Sequence, residues 1–235
     1  LSVLPSKNIV KILEKLNCQI FELKDFKKNF FIRYFRALVN ISHGFILGSE
    51  AAKDRMRIRR RDCDSILSIL KYHLLHSIGK IFANNIGLFI LTSLEKVFTK
   101  FNYGYKYYLK LLLDIKPDLV FNGSHVHSEN VVNVIYAAKF LKISTSAFLF
   151  SWDNLTSQGR LNPTYDYYFC WNESIKTDLI RIYNNIKEKN IFISGTPQFQ
   201  FHFDKDNYYS KSHFCEKYGL DPNRPIILYT TGQER

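Results

Sequence analysis

No apolar run in this sequence is long enough to cross a bilayer as a helix. The best candidate, Ile86 to Leu94, is about half the roughly 20 residues a span needs and sits among charges. No stretch joins a basic start, an apolar middle and a small-residue cleavage site, so the expected location is the cytoplasm. Cysteine is scarce: Cys18, Cys63, Cys170 and Cys215 lie far apart and make no CxxC pair, which disfavours a disulfide framework or a zinc module. His73 and His76, three apart, are a pair more often hydrogen-bonded than metal-bound, and no metal site is expected. Acidic residues are few, 21 against 33 basic, leaving a net charge of +12 that calls for an anionic lipid, an anionic sugar or a nucleic acid. Nucleic acid is the least favoured, because none of its recognition signatures is present.

What the sequence does have is an ordinary globular balance, 46% hydrophobic and 23% charged, and a regular central stretch from Lys116 to Gln198. Three times there, a short apolar run opens into a polar loop and then a helical pattern. Asp118 to Phe121 leads into Asn122 to His127 and a helix from Glu129 to Leu141. Ser144 to Phe150 leads into Ser151, Trp152, Asp153 and Asn154. Asp166 to Trp171 leads into Asn172 to Ser174 and a helix from Ile175 to Ile186, and Ile191 to Ile193 closes the series before Ser194 to Gln198. Strands alternating with helices predict a parallel sheet, since a parallel connection needs a long crossover. Ligands of such sheets bind beyond the carboxyl ends of the strands, where all these loops gather.

Before that stretch, helical spacing marks Pro5 to Leu16, and Cys18 to Leu23 alternates like a short strand. From Lys24 to Arg61, Phe30, Phe31 and Phe35 interleave with Lys27, Lys28, Arg33 and Arg36, and five arginines follow between Arg55 and Arg61. Such a helix either packs its rings on the sheet with its cations solvated, or lies on an anionic membrane surface. Asp64 to Phe101 is helical in pattern, with breaks expected at Gly79 and Gly87, and Tyr105 to Leu113 is a further helix ended by Lys116-Pro117. Residues 199–209 read as a linker, Ser210 to Tyr218 as a helix capped by Gly219, and Ile226 to Tyr229 as a strand. The opening Leu1 and the strand so near Arg235 give the expectation of a fragment missing pieces at both ends.

Lys116-Pro-Asp-Leu-Val-Phe121, Ser151-Trp-Asp-Asn154, Gly195-Thr-Pro197, Gly219-Leu-Asp-Pro222 and Pro225-Ile-Ile-Leu-Tyr229, in that order, resemble bacterial glycosyltransferases of the GT-B fold that build surface polysaccharides. The UDP-N-acetylglucosamine 2-epimerases and CDP-glycerol glycerophosphotransferases are cousins of that group. The resemblance covers roughly Lys116 to Thr231. It implies an α/β fold: a Rossmann-like, acceptor-side domain over residues 1–198, then a linker and the start of a second, donor-side Rossmann-like domain over 210–235. It also implies direct transfer from a nucleotide-sugar to a glycan or glycolipid acceptor at the inner face of the cell membrane, with no obligatory cofactor. Glycosyl transfer needs a base for the acceptor hydroxyl, and His125, His127 and Asp153 qualify by position. Asn122, Ser124, Ser151, Trp152, Asn154, Glu173, Gly195 and Thr196 are the expected substrate contacts along the edge, with Trp152 offering a ring face for a sugar. Thr230 and Thr231 begin the loop where donor phosphate would meet backbone NH groups. Two alternatives stay open: a nucleotide-sugar epimerase of the same fold, and a non-catalytic half that binds a partner.

Overall fold

The five described helices that precede the sheet all begin the same way, on an asparagine or serine whose side-chain oxygen accepts a backbone NH of the first turn. These are α1 (Phe30–Leu47) on Asn29, α2 (Glu50–Arg61) on Ser49, α3 (Ile66–Ile81) on Ser65, α4 (Asn85–Lys100) on Asn84 and α5 (Tyr103–Ile115) on Asn102. Each such cap contributes about 1 kcal/mol and sets where its helix starts. The computed structural model describes residues 26–123 and 131–229, with Lys11, Lys15, Leu16, Asn17, Cys18 and Lys24. The expected Pro5 to Leu16 helix, the Cys18 to Leu23 strand, Ser124, His125, His127, Thr230 and Thr231 lie, in whole or in large part, outside the described residues. The chain separates into two compact units, residues 1–195 and 196–235.

In the first unit α1 packs against α3 and α4, and α5 packs against α6 (Val131–Phe140). The basic aromatic segment therefore does not lie on the sheet. Phe31 and Phe35 stack on Phe98 of α4 at 4.8 and 5.4 Å, and Leu38, Val39 and Leu91 close the contact. Both glycines expected to break the long helical stretch are inside helices, and the break falls at Phe82 to Asn84. Space decides this: a Cβ on Gly79 would stand 2.4 Å from Cγ2 of Ile41, and one on Gly87 2.4 Å from the Phe82 carbonyl oxygen. These glycines admit a neighbour rather than end a helix.

The sheet holds β1 (Leu119–Asn122), β2 (Ser144–Phe148), β3 (Tyr167–Cys170) and β4 (Ile191–Ile193), all parallel, in the order β1-β2-β3-β4. Between them run α6, the short α7 (Asn154–Ser157) and α8 (Glu173–Ile182). Parallel crossovers are right-handed, so strands added one after another in one direction put every crossover on the same face. That face, with Ala147, Tyr168, Cys170 and Ile191, is buried under Ile135 of α6 and Ile175 and Leu179 of α8. On the opposite face Phe121, Tyr167 and Phe192 are exposed, with Phe169 partly covered between them. The expectation of a parallel sheet flanked by helices holds for one face. The described strand order contains no reversal, so these four strands alone do not form the crevice of a doubly wound sheet.

In the second unit two 3-10 turns, Pro197–His202 and Lys205–Asn207, lead to α9 (Lys211–Tyr218), which Gly219 ends at φ 66°. Ile226 to Tyr229, expected as a strand, makes no ladder among the described residues and is exposed. A segment that pairs with none of the described strands has no ladder to hold it in a sheet.

Candidate site at the carboxyl edge of the sheet

The best-formed part of the edge is the turn after β2. Leu149 prolongs the pairing, donating its NH to the Phe169 carbonyl at 2.9 Å, and the chain then leaves the sheet. Ser151 Oγ donates to Asp153 Oδ1 at 2.5 Å and Ser157 Oγ to Asp153 Oδ2 at 2.7 Å. The buried Asn154 accepts the Ser151 NH on Oδ1 at 2.8 Å, closing the turn from below. Helix α2 braces the outside: Ser49 Oγ donates to the Thr156 carbonyl at 2.8 Å, and Arg55 Nη2 to Gln158 Oε1 at 3.2 Å.

The Ser151 hydroxyl holds the Asp153 carboxyl below its usual range, helped by Ser157 and by the positive field of Arg55. A carboxylate of lowered pKa is ionised at neutral pH and weakly basic. It suits accepting hydrogen bonds from hydroxyls better than removing their protons. Trp152, beside it in the chain, is 68% exposed and presents an uncovered indole face. Ser151, Asp153 and Asn154 are thus one hydrogen-bonded unit with an aromatic platform next to it.

The remaining expected contacts are not gathered in the same way. Asn122 turns to the buried face of the sheet, where its Nδ2 donates to the Tyr165 hydroxyl at 2.8 Å, so it supports β1 instead of lining the edge. Glu173 sits in the first turn of α8 with its side chain largely exposed and a 3.9 Å ion pair to Lys176, the ordinary place for a carboxylate at a helix start. Gly195 takes φ 74°, a left-handed turn that glycine accepts without strain. Thr196 belongs to the second unit. His73 is exposed, while His76 stacks on Tyr72 at 3.7 Å. No group of three metal-binding side chains occurs among the described residues.

Two polar clusters that pattern alone did not single out join the helices to the loop after α7. Arg36 donates through Nε at 2.6 Å to Oε1 of Glu95, which is fully buried. Asn162 Nδ2 donates to the other oxygen at 2.6 Å, and the Tyr136 hydroxyl to Asn162 Oδ1 at 3.2 Å. Burial pushes the Glu95 carboxyl up, against the pull of Arg36 and Asn162. Nearby, Arg160 lies over the Tyr183 ring at 4.8 Å and places Nη1 3.3 Å from Nδ1 of His43, which is 1% exposed. Arginine only donates, so Nδ1 must accept and the imidazole is neutral. Its pKa is lowered to about 3, by burial first and then by Arg160 and Arg55. Arg160 also lines an open cavity of about 520 Å³ with Asn85, Thr92, Asn162, Asn184 and Asn185; neither Trp152 nor Asp153 reaches it. Glu95 carried one sequence signal: it is the single acidic residue between Ile66 and Lys100, at helical spacing from apolar neighbours.

No family model, no curated protein and no solved structure matches this chain.

Proposed function

We propose that this chain is the acceptor-side part of a glycosyltransferase. It acts on a glycan or glycolipid at the inner face of the cell membrane and takes the sugar from a nucleotide-sugar. The observation that carries the proposal is the Ser151–Asp153–Ser157 arrangement next to the exposed Trp152, at the carboxyl end of a parallel strand. A sugar offers hydroxyl donors on its rim and an apolar face of CH groups. A fixed, ionised carboxylate takes the donors, and an indole takes the face. Asp153 is then an acceptor-binding residue rather than the base. The base falls to His125 or His127, because imidazole is the side chain whose ordinary pKa lies near neutral.

The test measures binding and turnover separately. Envelope oligosaccharides are titrated into the chain with tryptophan emission as the readout, and nucleoside diphosphate release is followed with and without acceptor. Saccharide-dependent quenching that disappears in Trp152→Ala, with diphosphate released only when acceptor is present, supports transfer. Turnover of the nucleotide-sugar without any acceptor points to the epimerase, and binding without turnover to a non-catalytic half. Absence of saccharide binding rejects the acceptor site itself.

A further inference from the structure

Helices α3 and α4 are apolar on both sides: Leu75 and Ile78 of α3 and Leu91 of α4 pack inward against α1, and a second apolar set faces outward. On α3, Ile66, Leu67, Leu70 and Leu74 are 80, 77, 61 and 63% exposed, while Leu75 and Ile78 turn inward with Ser68, Tyr72, His76 and Gly79. Gly79 is the only fully buried residue of the helix. The inward polar groups are used: the Tyr72 hydroxyl donates to the Met56 carbonyl at 3.1 Å, and His76 Nδ1 sits 2.8 Å from the Tyr72 carbonyl. Helix α4 likewise exposes Ile86 and Phe89 while burying Gly87, Leu88, Leu91, Glu95 and Thr99. The two helices meet at a 120° bend. No single described helix is long and apolar enough to cross a membrane, whereas this bent pair together has that length and apolarity.

Charge identifies what this surface meets. The only acidic residue of the pair, Glu95, is buried and bound to Arg36, while Lys71, Lys80, Lys96 and Lys100 are all exposed. A second copy laid symmetrically on this surface would set lysines against lysines. An anionic bilayer offers hydrocarbon for the leucines and phosphate for the ammonium groups flanking them. We infer that the α3–α4 elbow is a docking surface for anionic membranes and lies in the headgroup boundary rather than crossing it. This replaces the set Lys27, Lys28, Arg33 and Arg36 expected from sequence, of which Arg36 is spent on Glu95 and cannot serve lipid. This docking surface gives a physical basis to the membrane location in the proposed function, but it rests on α3 and α4 alone, so a failure of vesicle binding leaves the saccharide test at Trp152 and Asp153 unaffected.

The experiment is flotation of the whole chain with phosphatidylcholine vesicles, with and without phosphatidylglycerol, at low and high salt. Binding is expected only with phosphatidylglycerol and weakens as salt rises. Leu67→Gln, Leu70→Gln and Leu74→Gln each lower it by on the order of tenfold, and all three sites are exposed, so circular dichroism should be unchanged. Leu70→Trp gives a readout that does not depend on losing function: brominated lipid must quench the added emission. Three results overturn the inference. One is no vesicle binding by the parent chain; another is full binding by a folded triple variant. The third is a dimer that the triple variant dissociates, with Leu70→Trp emission unquenched.

Discussion

Acidification from pH 7 to pH 5 should cost this protein stability through His43. The imidazole is 1% exposed, neutral, and faces the cations Arg160 and Arg55, which together with burial lower its pKa to about 3. In the unfolded chain it titrates near 6.5. The unfolded state therefore binds the extra proton between these values. The stabilising contribution is complete above about pH 6.5 and is lost as pH falls toward 3. At about 1.4 kcal/mol per pH unit below 6.5, the loss reaches about 2 kcal/mol at pH 5. The Asp153 carboxyl, held down mainly by Ser151, contributes above its ordinary 3.8 and loses that contribution only at lower pH, outside this window. His76, also lowered by burial, moves in the same direction as His43, so the comparison must be made against a variant. His43→Gln keeps an acceptor for Arg160 and removes the titration. Urea unfolding of both proteins at pH 7 and pH 5, followed by circular dichroism, should show the variant less sensitive to acid by about 2 kcal/mol. Equal acid sensitivity in the two proteins would refute the buried, neutral imidazole.

Two further predictions probe the joint between helices and sheet. Glu95→Gln leaves the Arg36 guanidinium, 19% exposed, without its counter-charge and should lower stability by about 3 kcal/mol; adding Arg36→Gln should restore much of this in the urea midpoint. Gly87→Ala drives a methyl to 2.4 Å from the Phe82 carbonyl oxygen at the elbow. It should cost about 1 to 3 kcal/mol in thermal unfolding, whereas an ordinary helical glycine replaced by alanine would gain stability.

The parts of the fold that were legible in sequence are those set by local chemistry. Alternation of short apolar runs with helical spacing gave all four strands near their observed bounds, because Ala147, Tyr168 and Cys170 must be apolar to lie under α6 and α8. Lys116-Pro117 ended its helix as expected, with Lys116 at φ 50°. The turn from Ser151 to Asn154 was legible for the same reason, since short polar side chains bonding to near neighbours form such turns. What could not be read depends on distant partners. Gly79 looks like a helix break until Ile41 is seen against it, and Arg36 looks like a surface cation until Glu95, 59 residues on, takes it. The outward leucines of α3 have the spacing of a core-facing stripe, and only the arrangement of α1 against Gly79 reveals which side faces in. His43 and Arg160 carry no signal in sequence, being 117 residues apart.

The central claim is that Asp153 and Trp152 hold a sugar. Saturation-transfer NMR of the chain with envelope oligosaccharides tests it most directly, because the signal reports which ligand protons touch protein. The account predicts transfer concentrated on the ring CH face that lies on Trp152. Asp153→Asn should weaken affinity by roughly 10- to 100-fold, the worth of a charge-assisted hydrogen bond, and Trp152→Ala should abolish the ring signals. Saccharide signals of equal strength in the parent chain and in both variants would contradict it.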